Sequence, residues 1–408
     1  MMLTTYRSII RRRKPGVRSI GSSPNGEYLM KVEVCRKGNP VIRWTCILLT
    51  VSGMLGGDWS YALPNLSMEY GQSCFLCHVD PSGGGPRSLY GGQFVARTDL
   101  PTWSDSIEAL SNFNPAINNW MMLGADLRVL HTDAQKVPSN ADRIMQGAIH
   151  LTVQLSQKYT LYISKDWNLD YQAAGIANIL PMDGYLKIGR FLPTFGLRPD
   201  DHTMYIRDGL FGSPTYSDVG LEIGFHPQRW EFAAAVLSGS AAPVNDNKAY
   251  AFSVRTSFRF NVGALDMMLG GSAYGDEYIG GDNDQFWYGP FYGLHLGRVT
   301  VMGEFDLTRD LPASISSGSP SHNPVGLVAS QMAFVKIFQG CRLRAGYDFQ
   351  DYDIDWKTGS RQRYTGGAQW FPYGFLEFQA NLRLTRTESA AGTTSDQREF
   401  DAQVHLFF

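Results

Sequence analysis

Leu376-Glu-Phe-Gln-Ala-Asn-Leu-Arg-Leu-Thr385 decides the fold. In an extended chain, successive side chains point to opposite faces. Leu376, Phe378, Ala380, Leu382 and Leu384 therefore share one face, and Glu377, Gln379, Asn381, Arg383 and Thr385 share the other. The same period governs Ala251–Phe260, where Phe252, Val254, Thr256, Phe258 and Phe260 oppose Ser253, Arg255, Ser257 and Arg259. A soluble sandwich would also alternate. Here, however, the polar face carries full charges, and the connections alternate between short and long.

Tight connections are expected at 156–158, 181–183, 227–228, 261–262, 297, 340 and 372–374. Longer ones are expected at 131–142, 193–215, 240–247, 276–285, 310–324, 353–360 and 388–397. Short turns on one side and long loops on the other are the pattern of an outer-membrane barrel. The spacing predicts about sixteen strands, the first over 117–130, a weakly marked fourth over 170–179 and the last over 398–408. The chain closes with Phe400-Asp-Ala-Gln-Val-His-Leu-Phe-Phe408, which puts Phe400, Ala402, Val404 and Leu406 outward and Glu399, Asp401, Gln403 and His405 inward. The fold class is all-β: a transmembrane antiparallel barrel occupying 116–408.

Composition agrees. Aromatics are 13% of the 408 residues, charged residues only 18%, and glycines number 43. No stretch after residue 62 approaches the ~20 apolar residues of a spanning helix, and only closed barrels otherwise satisfy every backbone group in lipid. Residues 1–62 hold ten Lys and Arg against three Asp and Glu, which leaves 26 basic and 35 acidic residues in the remainder. So acidic a remainder argues against a nucleic-acid partner.

Residues 1–62 are expected to be an upstream extension followed by a signal peptide. Lys31, Arg36, Lys37 and Arg43 precede an apolar run from Trp44 to Leu55, which ends at Ser60-Tyr61-Ala62, a plausible cleavage site. That is the layout of a secretory leader, with Met30 a natural start. Cys35 and Cys46 leave with it, and Cys74, Cys77 and Cys341 enter an oxidising compartment.

Residues 63–115 carry Cys74-Phe75-Leu76-Cys77-His78. The pattern C-x-x-C-H is the attachment signature of c-type haem. Two thiols two residues apart each add to a vinyl group of one porphyrin, and the adjacent His78 reaches the iron as axial ligand. A thioredoxin-like disulfide would need a βαβ context that is missing, and half a zinc site would need a second cysteine pair. One motif implies one haem c. Asp80-Pro81-Ser82-Gly83-Gly84-Gly85-Pro86 is expected to be a flexible wrap at the haem edge. The segment is too short for its own core, so it is expected inside the barrel or at its periplasmic mouth.

Taken together, the leader, Ala62-Leu-Pro64, the Cys74–His78 motif with its Asp80–Pro86 tail, and a barrel ending in Phe408 resemble the fused monohaem cytochrome–porins of the bacterial outer membrane, best known from iron oxidisers. Gly189-Arg-Phe-Leu-Pro193 through Asp200-Asp-His202 is similar to a loop of related electron-transfer porins. The lead-in Asn65–Gln72 matches less closely, so the resemblance carries the architecture rather than the direction of electron flow. It implies electron transfer across the outer membrane, from extracellular Fe(II) as candidate donor to a periplasmic c-type cytochrome or similar carrier. At most this makes the chain an Fe(II):cytochrome oxidoreductase. Two other readings stand beside it: a porin subunit that docks other cytochromes for extracellular metal reduction, and a solute porin with a structural haem.

For the second axial position, His405, Met68 and His150 are the candidates. Strand parity turns His150, His226, His295 and His405 into the lumen, and Met68 lies close to the motif. Each is also readable as a hydrated lumen residue. His131, His202 and His322 are expected in outer loops. Asp276, Glu277, Asp282 and Asp284, and Asp351, Asp353 and Asp355, form acidic loops that could concentrate cations.

Overall fold

The computed structural model describes residues 64–71, 73–103, 114–135, 141–167, 171–199, 201–213, 215–239, 250–277, 284–309, 324–356, 359–389 and 391–408. The expected leader over 1–62, His322 and Asp282 lie outside them.

Among these residues, sixteen antiparallel strands form one closed barrel in which each pairs with its sequence neighbours and the first pairs with the last. They are β1 (Met121–Ala134), β2 (Ala141–Gln154), β3 (Tyr159–Asp166), β4 (Tyr171–Leu180), β5 (Gly184–Phe191), β6 (Asp218–Phe225), β7 (Trp230–Leu237), β8 (Ala251–Val262), β9 (Leu265–Glu277), β10 (Asp284–Leu296), β11 (Val299–Arg309), β12 (Val325–Phe338), β13 (Cys341–Asp351), β14 (Arg361–Tyr373), β15 (Leu376–Glu388) and β16 (Thr394–Phe407). Closure runs from Asp126↔Phe407 to Ala134↔Glu399. No strand edge is left for lipid to meet.

The alternation read from the sequence sorts outside from inside. On β15, Leu382 is 64% exposed and its neighbour Arg383 only 5%. Ile188, Val236, Phe252 and Leu384 also face out. Trp230 stacks near Phe258, 4.6 Å between centroids, beside the short-turn end, as aromatic girdles do at a membrane interface. Cys341 shares the outward parity of Leu343 on β13. The weakly marked fourth strand is present as β4 and pairs on both sides.

Three strand boundaries differ from expectation by four residues each. The first strand begins at Met121 rather than 117, because the Asn118 side chain accepts the Trp120 and Met121 amides, each at 2.9 Å, and folds 117–120 into a turn. This strand also runs on to Ala134, so His131 sits on β1 rather than in an outer loop, with Nδ1 2.7 Å from Asp142. The last strand starts at Thr394 rather than 398, because Ser389 and Thr393 close a tight hairpin and Glu388 already pairs with Thr394.

The connection after β5 holds the largest difference. Expected as an outer loop over 193–215, residues 192–199, 201–213 and 215–217 fold into the lumen instead. They carry α2 (Tyr205–Phe211), and Phe195, Leu197, Ile206 and Leu210 are buried. Asp201 meets Arg344 and Arg383, each at 3.0 Å. Arg363 donates to the Thr203 carbonyl at 2.7 Å. His202 is half-buried in this inward loop rather than solvated outside.

The outward face predicts a clear asymmetry. Leu382 lies at the middle of β15, so Leu382→Arg should lower barrel stability by about 2–4 kcal/mol. Urea titration of heat-modifiable gel mobility checks this, and Leu376→Arg, on the same face at the strand end, should cost much less.

Candidate functional site

Residues 64–71 and 73–103 pack inside the barrel at the end that carries the short turns. α1 (Pro64–Tyr70) buries Leu66 and Met68 against the wall. Arg259 of β8 donates to Ser67 Oγ at 2.7 Å and to its carbonyl at 3.2 Å. Glu69 pairs with Arg342 at 2.8 Å and with Lys336. Burial pushes Glu69 up, but Arg342 and Lys336 outweigh it and hold the carboxyl below its usual range. Further on, Leu66, Ala96 and Leu100 pack with Phe371 and Phe407 of the wall.

Between these anchors lies the C-x-x-C-H motif. Cys74–Leu76 is one turn of 3-10 helix, and the amides of Cys77 and His78 both donate to the Cys74 carbonyl, at 3.3 and 3.1 Å. The turn is clamped from behind: Ser88 donates its amide to the Cys77 carbonyl at 2.8 Å and its hydroxyl to the Leu76 carbonyl at 2.6 Å. Gly91, in the first turn of the π-helix Tyr90–Asp99, lies directly on Cys77, and a Cβ there would stand 2.3 Å from the Cys77 carbonyl oxygen. Only glycine permits that approach.

The Asp80–Pro86 tail was expected to be a flexible wrap, and the structure pins it. Lys187 of β5 is fully buried and lies 2.8 Å from Asp80 Oδ1, 2.8 Å from Ser82 Oγ and 2.8 Å from Glu222 Oε1. Tyr162 donates to the other Asp80 oxygen at 3.0 Å, and Tyr185 donates to Glu222 at 2.6 Å. Burial pushes Asp80 up, yet Lys187 and Arg198 outweigh it and keep the carboxyl below its ordinary value. Gly83, Gly84 and Gly85 then run with positive φ, which brings the Gly83 carbonyl to the Arg198 guanidinium.

These residues fit a covalently bound haem. One turn brings two thiols, neither in a disulfide, and an imidazole together. Desolvation, aided by Arg87, pushes His78 down to about 4, so its ring is neutral as an iron ligand must be. His78 Nδ1 is buried without a partner. The protein around Cys74 pushes its thiol up, with Glu231 adding to the shift.

The candidates for the second axial position lie as follows. His405 has both ring nitrogens engaged, Nδ1 with Glu377 and Nε2 with Asp126, each at 2.8 Å. His150 Nε2 lies 2.8 Å from the other Asp126 oxygen. Asp126 also takes Arg87 of the lumen segment at 3.1 Å. Met68 is fully buried, with its sulfur 3.8 Å from the Arg259 guanidinium. His295 Nδ1 lies 2.9 Å from Thr300 Oγ1. In the acidic loop of Asp351, Asp353 and Asp355, carboxylates accept backbone amides of their own loop, at 3.1 and 3.2 Å. Among the described residues, no group of three or more His, Cys, Asp or Glu side chains is arranged to hold a metal ion.

A closed sixteen-strand barrel with an apolar exterior, a charged interior and an inward-folded loop is the architecture of the bacterial outer-membrane porins. No protein-family model matches the chain, and no curated protein matches its sequence. Solved structures do. OprB of Pseudomonas putida is similar with a TM-score of 0.56 and 9% identity, covering 76% of this chain and 99% of that one. The outer-membrane channel DcaP of Acinetobacter baumannii gives 0.53 and 8%, covering 71% and 97%. OmpT of Vibrio cholerae gives 0.52 and 10%, covering 72% and 100%. At such identities the likeness is one of fold.

The latch yields a prediction in two parts. Lys187→Met leaves two buried carboxylates without their cation, a loss of about 3–5 kcal/mol, and should expose residues 64–103 to protease while the barrel stays folded. Asp80 and Glu69 are depressed, so their stabilisation is complete above the ordinary carboxylate range of about pH 4. It is lost as pH falls through the lowered values. Protection of 64–103 against hydrogen exchange, taken relative to the intrinsic rate at each pH, should therefore hold from pH 7 to 5 and fall below about pH 4.

Proposed function

We propose that the chain is an electron conduit of the outer membrane. In this reading Cys74 and Cys77 would hold one c-type haem through thioether bonds, and His78 would ligate its iron. Electrons pass between an extracellular donor, Fe(II) being the candidate substrate, and a periplasmic carrier such as a c-type cytochrome. When bound, the haem supplies one-electron chemistry. The chain's own residues do the rest. Lys187, Arg198 and Arg259 fix the segment that bears the turn, and the barrel wall shields it from lipid.

One observation carries the reading: the C-x-x-C-H turn is anchored on several sides within the lumen rather than displayed on a mobile arm. A fixed redox centre transfers electrons over a defined path, whereas a structural haem would not need so deep a mounting. The same observation weighs against a solute porin, because the described residues of the lumen segment and of the inward loop fill space that a channel would need. It also weighs against a sheath for other cytochromes, since the chain's own segment occupies the lumen.

Purified protein in liposomes tests this. Fe(II) added outside should reduce the haem, seen in its absorbance, with no leakage of an entrapped solute. Cys74→Ser/Cys77→Ser should lose covalent haem and the response together. A redox-silent haem in a leaking vesicle would favour the solute porin. A response that needs added cytochromes would favour the docking subunit.

A further inference from the structure

We infer that His226 supplies the second axial ligand to the iron of the haem mounted on Cys74 and Cys77. The inference rests on the reading of the preceding section.

His226 lies in the short turn after β6, and its amide donates to the Met182 carbonyl at 3.0 Å. Its ring packs on Phe75, the residue that follows Cys74 on the C-x-x-C-H turn, with centroids 4.8 Å apart. On its other side it stacks on Tyr185, 5.7 Å away with the planes 20° apart. Tyr185 is itself held by Glu222 and lies across Gly224, where a Cβ would stand 2.3 Å from its ring. The imidazole is therefore fixed in place beside the motif.

Fixed as it is, its chemistry is unused. Both ring nitrogens are buried, and neither has a hydrogen-bond partner. Burying an imidazole with nothing to bond costs free energy for each unsatisfied polar atom. Such a group calls for an explanation, an unseen ion or ligand among them. Among the described residues, no other histidine has two buried and unpartnered ring nitrogens. His405 spends both on carboxylates, His150 spends one, and His295 bonds Thr300. The Met68 sulfur already faces a guanidinium. A neutral imidazole with a free lone pair is the usual nitrogen ligand of haem iron, and His226 is the lumen residue that offers one at the motif.

The test uses the purified full-length holoprotein and reads the iron directly, by electron paramagnetic resonance and electronic absorption. The wild-type ferric protein should be six-coordinate and low-spin. His226→Phe keeps the ring packed between Phe75 and Tyr185 but removes the nitrogens. It should turn the ferric haem high-spin at unchanged covalent haem content, and added imidazole should restore the low-spin signal. Met68→Leu and His150→Gln should leave the spectrum alone. A high-spin wild type, an unchanged spectrum in His226→Phe, or a spin change that follows Met68→Leu or His150→Gln would overturn the assignment while leaving the mounted haem intact. A wild-type protein without haem would overturn this inference together with the one beneath it.

Discussion

Closure of the sheet is the constraint on which everything else depends. Pairing of β1 with β16, from Asp126↔Phe407 to Ala134↔Glu399, leaves no edge strand and satisfies the backbone within the wall. Lipid tolerates no other arrangement of strands. Once the ring is closed, period-two alternation divides the side chains between two solvents, and polar groups excluded from the apolar face collect in one interior. Asp126 shows the consequence. It stands at the seam and gathers His150, His405 and Arg87 from β2, β16 and the lumen segment.

That crowded interior holds the N-terminal segment. Charges taken out of water are costly unless paired, and the lumen pairs them across chain segments. Lys187 joins Asp80 to Glu222, and Arg342 takes Glu69. Arg344 and Arg383 take Asp201. The wall thus fixes both the segment that carries Cys74–His78 and the inward loop above it. Arg198 ties the two together at the Gly83 carbonyl. A segment too short to build a core of its own borrows one from the barrel.

Much of this was legible in the sequence. Alternation at Leu376–Thr385 and Ala251–Phe260 is local, and so it reported strand number and facing directly. The spacing of Cys74, Cys77 and His78 is local as well. What escaped was long-range or made by side chains. Asn118 bends the chain before β1 through its own amide contacts, which hydropathy does not record. Asp80 and Lys187 are 107 residues apart, so nothing in the glycine-rich tail announced its anchor. The inward loop does carry a signal in its sequence. Phe195, Leu197, Met204, Tyr205, Ile206, Leu210 and Phe211 are too many apolar residues for a solvated connection. Parity turns His226 toward the lumen, but the absence of partners for its ring nitrogens is a property of neighbours distant in sequence.

The mass of the polypeptide recovered from the outer membrane, measured after full denaturation, tests the central claim most directly. Thioether bonds survive unfolding. The account predicts that the chain is heavier than its amino acids by one haem, with the added mass confined to the fragment containing Cys74 and Cys77. A bare polypeptide mass from a correctly folded barrel would contradict it.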